Sequence, residues 1–375
     1  MSTNGWITEA DGVFRGGGVK GLGLAGALLG FAEHPEKPIT RWRNVAGASA
    51  GAIIACWLAV HEDEPIDNLK SLLFETDFAQ FEDFPPGGKL LGGGRNLIFH
   101  HGLAHGAAFL NWFDGVLRSA TFACVKSGGD WRLKLVAVDV TNQALLLLPD
   151  DLAYYRETAD GPTIDPNTFS IARAARMSMS IPYFFEPVTL YRERARCVDP
   201  GETAYTRGEI VDLCEANEAD ARCQEVGDAP AQWQSDDPEL SVIVDGGTLS
   251  NFPVWIFDAK PGEPMQRMTF GFTLTGGKGL LPANGFLGGL MPWPVEFGVE
   301  IFHTAQSAWD RRFAAHSSVV RTVTVNAGNV ATTQFTLGAD EKNMLVQNGK
   351  EAARRFLDTF DPRQYQNTYG AKFVE

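Results

Sequence analysis

A serine stands between small residues at positions 47–51, which read Gly-Ala-Ser-Ala-Gly. An apolar strand-like segment, Trp42 to Ala46, precedes the pattern, and an apolar stretch of helical length, Ala52 to Val60, follows it. Small neighbours let the backbone turn sharply from strand to helix and lift the Ser49 hydroxyl to the top of a sheet. Such a hydroxyl is typical of an acyl-transfer nucleophile, and the Ala50 amide at the helix start can donate to an oxyanion. The structural alternative is a glycine-lined turn that only makes room for a neighbouring helix.

A second glycine-rich turn lies near the amino terminus. Gly16, Gly17 and Gly18 follow a short strand, Gly12 to Phe14, and precede a helical stretch from Val19 to His34. Because glycine has no Cβ, successive N–H groups can converge closely on one point. The amino terminus of the following helix adds positive potential. The turn therefore suits a phosphate or the oxyanion of a tetrahedral acyl intermediate, with a tight turn without any ligand as the alternative.

The run from Gly16 to Gly21 also satisfies Gly-x-Gly-x-x-Gly, a pattern of dinucleotide-binding proteins. Those proteins need an acidic residue about 20 positions further on, where this chain has Arg41, Trp42 and Arg43. An NADP-dependent oxidoreductase that uses an arginine there stays open as an alternative. No Gly-Lys-Ser/Thr follows the glycines, which excludes a Walker phosphate loop.

The serine needs a base, and the histidines do not supply an obvious one. In α/β-hydrolases the base is a histidine that follows the serine and the acid along the chain. Here only His303 and His316 lie late enough, and neither follows a clear strand in a glycine-rich loop. By contrast, the apolar strand Leu240 to Val244 runs directly into Asp245 and two glycines. A carboxylate bonded to a hydroxyl can take its proton directly. Asp245 is therefore the candidate base, with an ordinary Asp-Gly turn as the alternative.

Strand, glycine turn and helix follow one another twice before residue 61, which predicts a parallel sheet in an α/β fold. Both turns then lie at the ligand-binding edge of the sheet. No linker or repeat interrupts the chain, so we expect one domain over residues 1–375. Its core would span 12–258, and 259–375 would be the carboxyl-terminal part of the same domain. Further helices are predicted over 62–84, 106–117, 168–179 and 340–360, and further strands over 133–140, 144–148, 267–275 and 319–325.

Composition and charge narrow the class of protein. Hydrophobic residues make up 44% of the chain and charged residues 21%, which is typical of a globular protein. The net charge of −14 and the lack of a Lys/Arg cluster exclude a nucleic-acid binder. The stretch from Arg192 to Leu240 holds 13 acidic and 5 basic residues. This acidic insertion, at about 192–240, precedes the strand of Asp245 and is a candidate lid or partner surface, with a solvated loop as the alternative.

The five cysteines fit neither a zinc pattern nor a Cys-x-x-Cys redox pair. Cys56 and Cys124 lie in apolar runs, and we expect both in the core. The others, Cys197, Cys214 and Cys223, lie in the acidic insertion, where two of them could pair in an oxidising compartment.

No signal peptide or transmembrane segment is apparent, because no apolar run reaches about 18 residues. We expect a cytoplasmic or peripheral membrane protein, with signal-independent secretion as an alternative. The apolar segment Leu280 to Phe302, which glycines and prolines interrupt, is a candidate for contact with a membrane interface. Its alternative is packing over the core.

Taken in order, these motifs resemble those of the patatin-like phospholipases, which are lipid acyl hydrolases with a Ser-Asp dyad. The resemblance covers about residues 12–258 well and the remainder loosely. It rests on the two glycine turns and the Asp-Gly-Gly strand end, on a helix end with a following Phe-x-Pro-Val at 174–182 and 185–188, and on Asn-Phe-Pro-Val at 251–254.

The resemblance implies a three-layer α/β/α fold with a mainly parallel central sheet. It implies Ser49 as nucleophile, Asp245 as base, and the amides of Gly16, Gly17 and Gly18 as the oxyanion hole, with no cofactor and no metal. The reaction would be lipid degradation of the phospholipase A type, through an acyl-enzyme formed from a (glycero)phospholipid.

Arg15 departs from the commonest family pattern, in which a small or acidic residue precedes the glycines. Arg15 is a weak candidate for substrate binding, through a lipid phosphate, and a structural salt bridge is the alternative. Ala50 is a second weak candidate, through its backbone amide. A lysophospholipase or general carboxylesterase is the nearest alternative function. A non-catalytic lipid-sensing module is an alternative of another class, which the presence of both Ser49 and Asp245 disfavours.

Overall fold

The computed structural model describes residues 7–88, 92, 94–198, 204–206, 233–258, 266–276, 319–332 and 334–369. Its helices are Gly21–Ala32 (α1), Ala50–Val60 (α2), Ile66–Glu75 (α3), Gly94–His100 (α4), Ala107–Val116 (α5), Ile171–Ser178 (α6), Ala339–Thr359 (α7) and Pro362–Tyr369 (α8). Its strands are Glu9–Phe14 (β1), Arg41–Ala48 (β2), Gly102–Ala104 (β3), Lys126–Ser127 (β4), Asp130–Trp131 (β5), Leu133–Asp139 (β6), Ala144–Leu148 (β7), Tyr155–Arg156 (β8), Tyr183–Phe185 (β9), Val188–Val198 (β10), Ala204–Thr206 (β11), Trp233–Asp245 (β12), Thr269–Thr275 (β13) and Thr322–Asn326 (β14).

One large sheet contains ten of these strands, in the order β11-β10-β12-β6-β2-β1-β13-β14, with β7 beside β6 and β8 beside β10. Within this order, the five strands β6, β2, β1, β13 and β14 run parallel to one another. Strands β12, β10 and β11 continue the sheet in antiparallel pairing. This mixed α/β fold, with a mainly parallel centre flanked by helices, confirms the predicted fold class.

The helices α1 and α2 are buried on almost all sides, as their uniformly apolar sequences require. They pack on the sheet face that carries Phe14 and Phe272, whose rings stack with centroids 5.0 Å apart. On the opposite face, a smaller cluster joins Val13 and Ala46 to Phe252, which follows the strand of the candidate base. Both faces of the central strands are therefore covered, which is what a parallel sheet needs.

Glycines allow α1 to approach α7 closely. A Cβ at Gly26 would overlap the carbonyl of Val346, and a Cβ at Gly30 would lie 2.7 Å from the Cβ of Ala353. The high glycine content of α1 thus has a packing reason, independent of the chemistry of the turn that precedes the helix.

Gly26→Ala is therefore expected to lower the free energy of unfolding by about 2 kcal/mol, because the added methyl group overpacks the contact. Gly115→Ala is the matched control, since a Cβ at this α5 glycine would have no neighbour within 4 Å. It should raise the free energy of unfolding by up to about 1 kcal/mol. Urea denaturation followed by circular dichroism measures both values, and equal effects at the two positions would contradict the close helix contact.

Two cysteines, Cys56 and Cys124, are expected in the core, and the structure confirms only one of these predictions. Cys56 is buried, as predicted, but Cys124 is exposed, so that prediction is wrong. Cys124 lies in a short 3-10 turn, Phe122–Val125, whose first and last residues turn inward instead.

Several predictions concern residues outside the part of the chain that the structure describes. Cys214 and Cys223, the apolar segment 280–302, His303 and His316 lie outside the described residues, as does most of the acidic insertion. Within the described part, no helix combines the length and apolar character needed to cross a bilayer.

Candidate active site

The topology brings the ends of two strands together at the candidate site. Strand β2 runs parallel to β6 and ends with Ala48 opposite Val136. Strand β12 runs antiparallel to β6 and ends with Asp245 opposite Ala137. Since β7 occupies the other edge of β6, β2 and β12 meet end to end along the same edge. Ser49, the next residue after β2, therefore lies beside the end of β12.

The turn at Ser49 has the strained geometry that its small neighbours predict. Ser49 has φ 53° and ψ −128°, a conformation that side chains other than glycine rarely adopt. A Cβ at Gly47 would overlap the Gly51 carbonyl, and a Cβ at Gly51 would overlap that of Phe14. The turn is thus a sharp strand-to-helix corner that only glycines can flank, and it holds Ser49 almost fully buried, at 6% exposure.

Asp245 is buried at 4% exposure, and only one of its carboxylate oxygens has a full hydrogen bond. Oδ1 accepts from the Gly247 amide at 2.7 Å, whereas Oδ2 has no partner among the described groups. Burial raises the pKa of this carboxyl to about 7, and the Ser49 hydroxyl and the Gly247 amide oppose that rise. The Ser49 hydroxyl thus lies close enough to the Asp245 carboxyl to affect its pKa.

The glycine turn lies directly beside Ser49, because the end of β1 at Phe14 pairs with Gly47. The Gly16 amide donates to the Asn251 carbonyl at 3.1 Å, and the Asn251 side-chain amide faces Gly16 O at 3.4 Å. No described group accepts a hydrogen bond from the amides of Gly17 or Gly18. Of the three amides predicted to form the oxyanion hole, that of Gly16 is therefore engaged in a hydrogen bond to the Asn251 carbonyl.

Asn251 is a residue of the site to which composition and spacing assign no role. It lies within the Asn-Phe-Pro-Val segment that carries part of the family resemblance. Its Oδ1 and the Ser49 Cβ both lie within 3 Å of the point that a Gly16 Cβ would occupy. Asn251 therefore joins the segment after Asp245 to the glycine turn, next to Ser49.

Gly16→Ala is expected to lower kcat/KM for ester hydrolysis by about 100-fold, because small displacements of reacting groups have effects of this size. The added methyl group would lie 2.8 Å from the Ser49 Cβ and would overlap Asn251 Oδ1. Steady-state kinetics on a soluble ester measures the loss. Gly88→Ala is the surface control, because a Cβ there would meet nothing within 4 Å, although the left-handed backbone of Gly88 disfavours alanine. Unchanged kinetics for Gly16→Ala would contradict this tight packing.

The two weaker substrate-binding candidates lie at the same edge. The Arg15 guanidinium donates to Thr273 Oγ1 and to Leu274 O, each at 3.3 Å, which fixes it along β13. Ala50 begins α2 and is buried. Burial, together with the nearby charge of Arg15, lowers the pKa of the Lys20 ammonium to about 8. Two cationic side chains thus flank the glycine turn.

The structure disfavours the dinucleotide alternative. Arg41 pairs with Glu9 at the start of β1, whereas the glycine turn follows the end of that strand. At about 3.3 Å per residue, the two positions are roughly 20 Å apart. Arg43 is also engaged, since its guanidinium donates to both carboxylate oxygens of Glu9 at 2.9 Å. Neither arginine can meet a cofactor that lies on the glycine turn.

A metal site would show as a cluster of ligand side chains within the part of the chain that the structure describes. No group of three His, Cys, Asp or Glu side chains comes together there in a way that could hold a metal ion.

Comparison with known proteins shows the family of the chain. The family model for patatin-like phospholipases matches residues 12–258. The uncharacterized protein YqhO of Bacillus subtilis (strain 168) is 30% identical over 354 residues, which are 92% of this chain and 97% of that protein.

Solved structures of similar shape have low sequence identity to this chain. VipD from Legionella pneumophila is 16% identical with a TM-score of 0.45, over 98% of this chain and 72% of that one. ExoU of Pseudomonas aeruginosa, in complex with SpcU, is 14% identical with a TM-score of 0.41, over 94% of this chain and 53% of that one. The family model, which spans most of the chain from the strand before the glycine turn to the segment after Asp245, carries the assignment: this chain belongs to the patatin-like phospholipase family and is a lipid hydrolase.

Proposed function

We propose that the protein cleaves fatty acyl esters of (glycero)phospholipids, with Ser49 as the nucleophile and Asp245 as its base. The observation that carries this proposal is the meeting of β2 and β12 on one edge of β6, which sets the serine beside a buried carboxylate. The open Oδ2 of Asp245 supports it, because that oxygen is left to accept a proton.

In the proposed first half-reaction, Ser49 Oγ attacks the ester carbonyl carbon while Asp245 takes the hydroxyl proton. The carbonyl oxygen becomes an oxyanion, which the amides of Gly17 and Gly18 stabilise, with Ala50 as a further donor at the start of α2. Collapse breaks the ester bond, and the proton held by Asp245 passes to the departing alcohol oxygen. The acyl group remains on Ser49.

In the second half-reaction, Asp245 takes a proton from water while the water oxygen attacks the acyl carbonyl carbon of the acyl-enzyme. The same amides stabilise the second oxyanion. Collapse returns the proton to Ser49 Oγ and releases the fatty acid. One carboxylate thus serves both steps, and its pKa near 7 matches the role, because a base works best when its pKa is close to the operating pH.

A lipid panel and an active-site probe test the proposal. The wild-type protein is incubated with diacyl phosphatidylcholine, the corresponding lysophospholipid and a short-chain ester, and free fatty acid is quantified. A fluorophosphonate probe is then mapped by mass spectrometry. We expect fatty-acid release from the diacyl lipid and labelling of the peptide that contains Ser49. Hydrolysis of the short ester alone would favour a carboxylesterase, and neither hydrolysis nor labelling would favour a lipid-sensing module.

We also propose that the chain forms a single domain. Strands β13 and β14, from the part after residue 258, lie in the same sheet as β1 and β2. Peripheral contact with a lipid surface remains part of the proposal, since the substrate lies in one.

A further inference from the structure

The carboxyl-terminal turn of α6 contacts both members of the proposed catalytic pair. The hydroxyl of Ser178 accepts from the Ser49 amide at 3.0 Å and donates to the Val136 carbonyl at 2.6 Å. Two residues later, the Ser180 carbonyl accepts from the Asp245 amide at 2.9 Å. One short segment therefore bonds to the main chain of the nucleophile and to that of the base.

The same turn is itself fixed by a buried arginine. Arg176 Nη1 donates to Ser180 Oγ at 2.6 Å, and Nη2 donates to the carbonyls of His105 and Glu186 at 2.9 and 2.7 Å. Ser180 Oγ donates back to the Arg176 carbonyl at 3.0 Å. A planar guanidinium held by three acceptors resists rotation, so the turn cannot shift without breaking several buried bonds.

We propose that the turn from Ser178 to Ser180 is a positioning element that sets the separation of Ser49 Oγ and the Asp245 carboxylate. This inference rests on the proposed function. Its physical basis is that Ser49 has a strained backbone, which persists only where surrounding groups hold it. Ser178 holds the nucleophile at its own amide and bridges it to β6, the strand along which the base is aligned.

Ser178→Ala is expected to lower kcat by about 10- to 100-fold while KM stays within about twofold, since misplaced reacting groups slow the chemical step more than they weaken binding. It should also move the acidic limb of the pH–rate profile to higher pH. The Ser49 hydroxyl lowers the pKa of Asp245, so a weaker contact between them lets that pKa rise. A role confined to stability would leave this limb in place.

The controls separate positioning from stability. Ser170 begins the same helix and accepts from the Arg173 amide, so Ser170→Ala should lower the melting temperature but leave kcat and the pH profile unchanged. Ser178→Thr keeps the hydroxyl and should recover most of the lost kcat. If Ser178→Ala does not fold, Ser180→Ala is the milder test of the same turn, because it removes one hydrogen bond from Arg176. It should lower kcat in the same direction but by a smaller factor.

The outcomes distinguish this proposal from the one on which it rests. If Ser49→Ala is inactive but Ser178→Ala and Ser180→Ala keep wild-type kcat and pH profile, the positioning proposal alone is overturned. If Ser49→Ala keeps its activity, the proposed function itself fails. A fall in kcat that tracks the melting temperature equally in the Ser170 and Ser178 variants would also overturn the positioning role.

Discussion

Ser49→Ala is expected to reduce fatty-acid release by at least about 1,000-fold, since removal of a catalytic nucleophile leaves only the contribution of binding and the oxyanion donors. The turn that lifts Ser49, the adjacent carboxylate and the neighbouring amides would all remain, but no group could form the acyl-enzyme. Fatty-acid release from phosphatidylcholine and labelling by a fluorophosphonate measure the loss. Both signals should vanish together.

Two further variants make this result specific. Ser241→Ala removes another fully buried serine, which lies on the strand of the base and accepts from the Asn142 side-chain amide. This variant should keep activity. Ser49→Gly should be as inactive as the alanine variant but more stable than the wild type by about 1 to 2 kcal/mol. Glycine adopts φ 53° and ψ −128° without the strain that serine carries. A destabilised glycine variant would contradict the argument that this turn stores strain for function.

The local parts of this site can be predicted from sequence because they depend on neighbouring residues. Small residues around Ser49 permit a sharp turn, and the structure confirms the strand-turn-helix unit on which the serine lies. An apolar strand that ends in Asp-Gly-Gly likewise identifies Asp245 as the last residue of a strand. Uniformly apolar segments predict α1 and α2 as buried helices, and both are buried.

The remainder depends on contacts between distant parts of the chain. The end-to-end meeting of β2 and β12 follows from the strand order, and no local pattern encodes it. The engagement of the Gly16 amide by Asn251, and the bonds from the α6 turn to Ser49 and Asp245, join residues more than 60 positions apart.

A predicted helix is shorter in the structure because a side chain competes for a backbone amide. Residues 62–84 are predicted as one amphipathic helix, but α3 covers only Ile66–Glu75 and a 3-10 turn follows at Phe78–Phe81. Between them, the Asp77 side chain accepts from the Ala79 amide at 3.1 Å and starts the new turn.

Asp245→Asn is expected to lower kcat by at least about 1,000-fold at pH 8, because the amide has the same shape but cannot take a proton from Ser49. The wild-type rate should rise with pH through about 7, as burial raises the pKa of Asp245 to about that value and only the ionised form acts as a base. Measuring kcat/KM from pH 5 to 9 tests both statements. A wild-type profile that is flat across this range would contradict Asp245 as the base.

The same substitution should stabilise the fold, and the effect should depend on pH. A carboxyl whose pKa is raised on folding binds more protons in the folded state, so its contribution to stability is fully present below the unfolded pKa, about 4. That contribution is lost as the pH rises towards the folded value of about 7, where the buried site must accept a charge. Asparagine never carries that charge. At pH 8, Asp245→Asn should therefore be more stable than the wild type by a few kcal/mol, since each pKa unit corresponds to about 1.4 kcal/mol.

This gain distinguishes a catalytic carboxylate from a structural one. If Asp245 served mainly to hold the following turn through Gly247, replacing it would weaken the fold at every pH, because a neutral amide oxygen is the poorer acceptor. Urea denaturation at pH 5 and pH 8 tells the two cases apart. We expect the variant's advantage to grow between these values, and a variant that is less stable at pH 8 would show that the carboxylate is kept for structure. An inactive variant that is more stable than the wild type would instead show that the buried charge at Asp245 lowers stability and is required for hydrolysis.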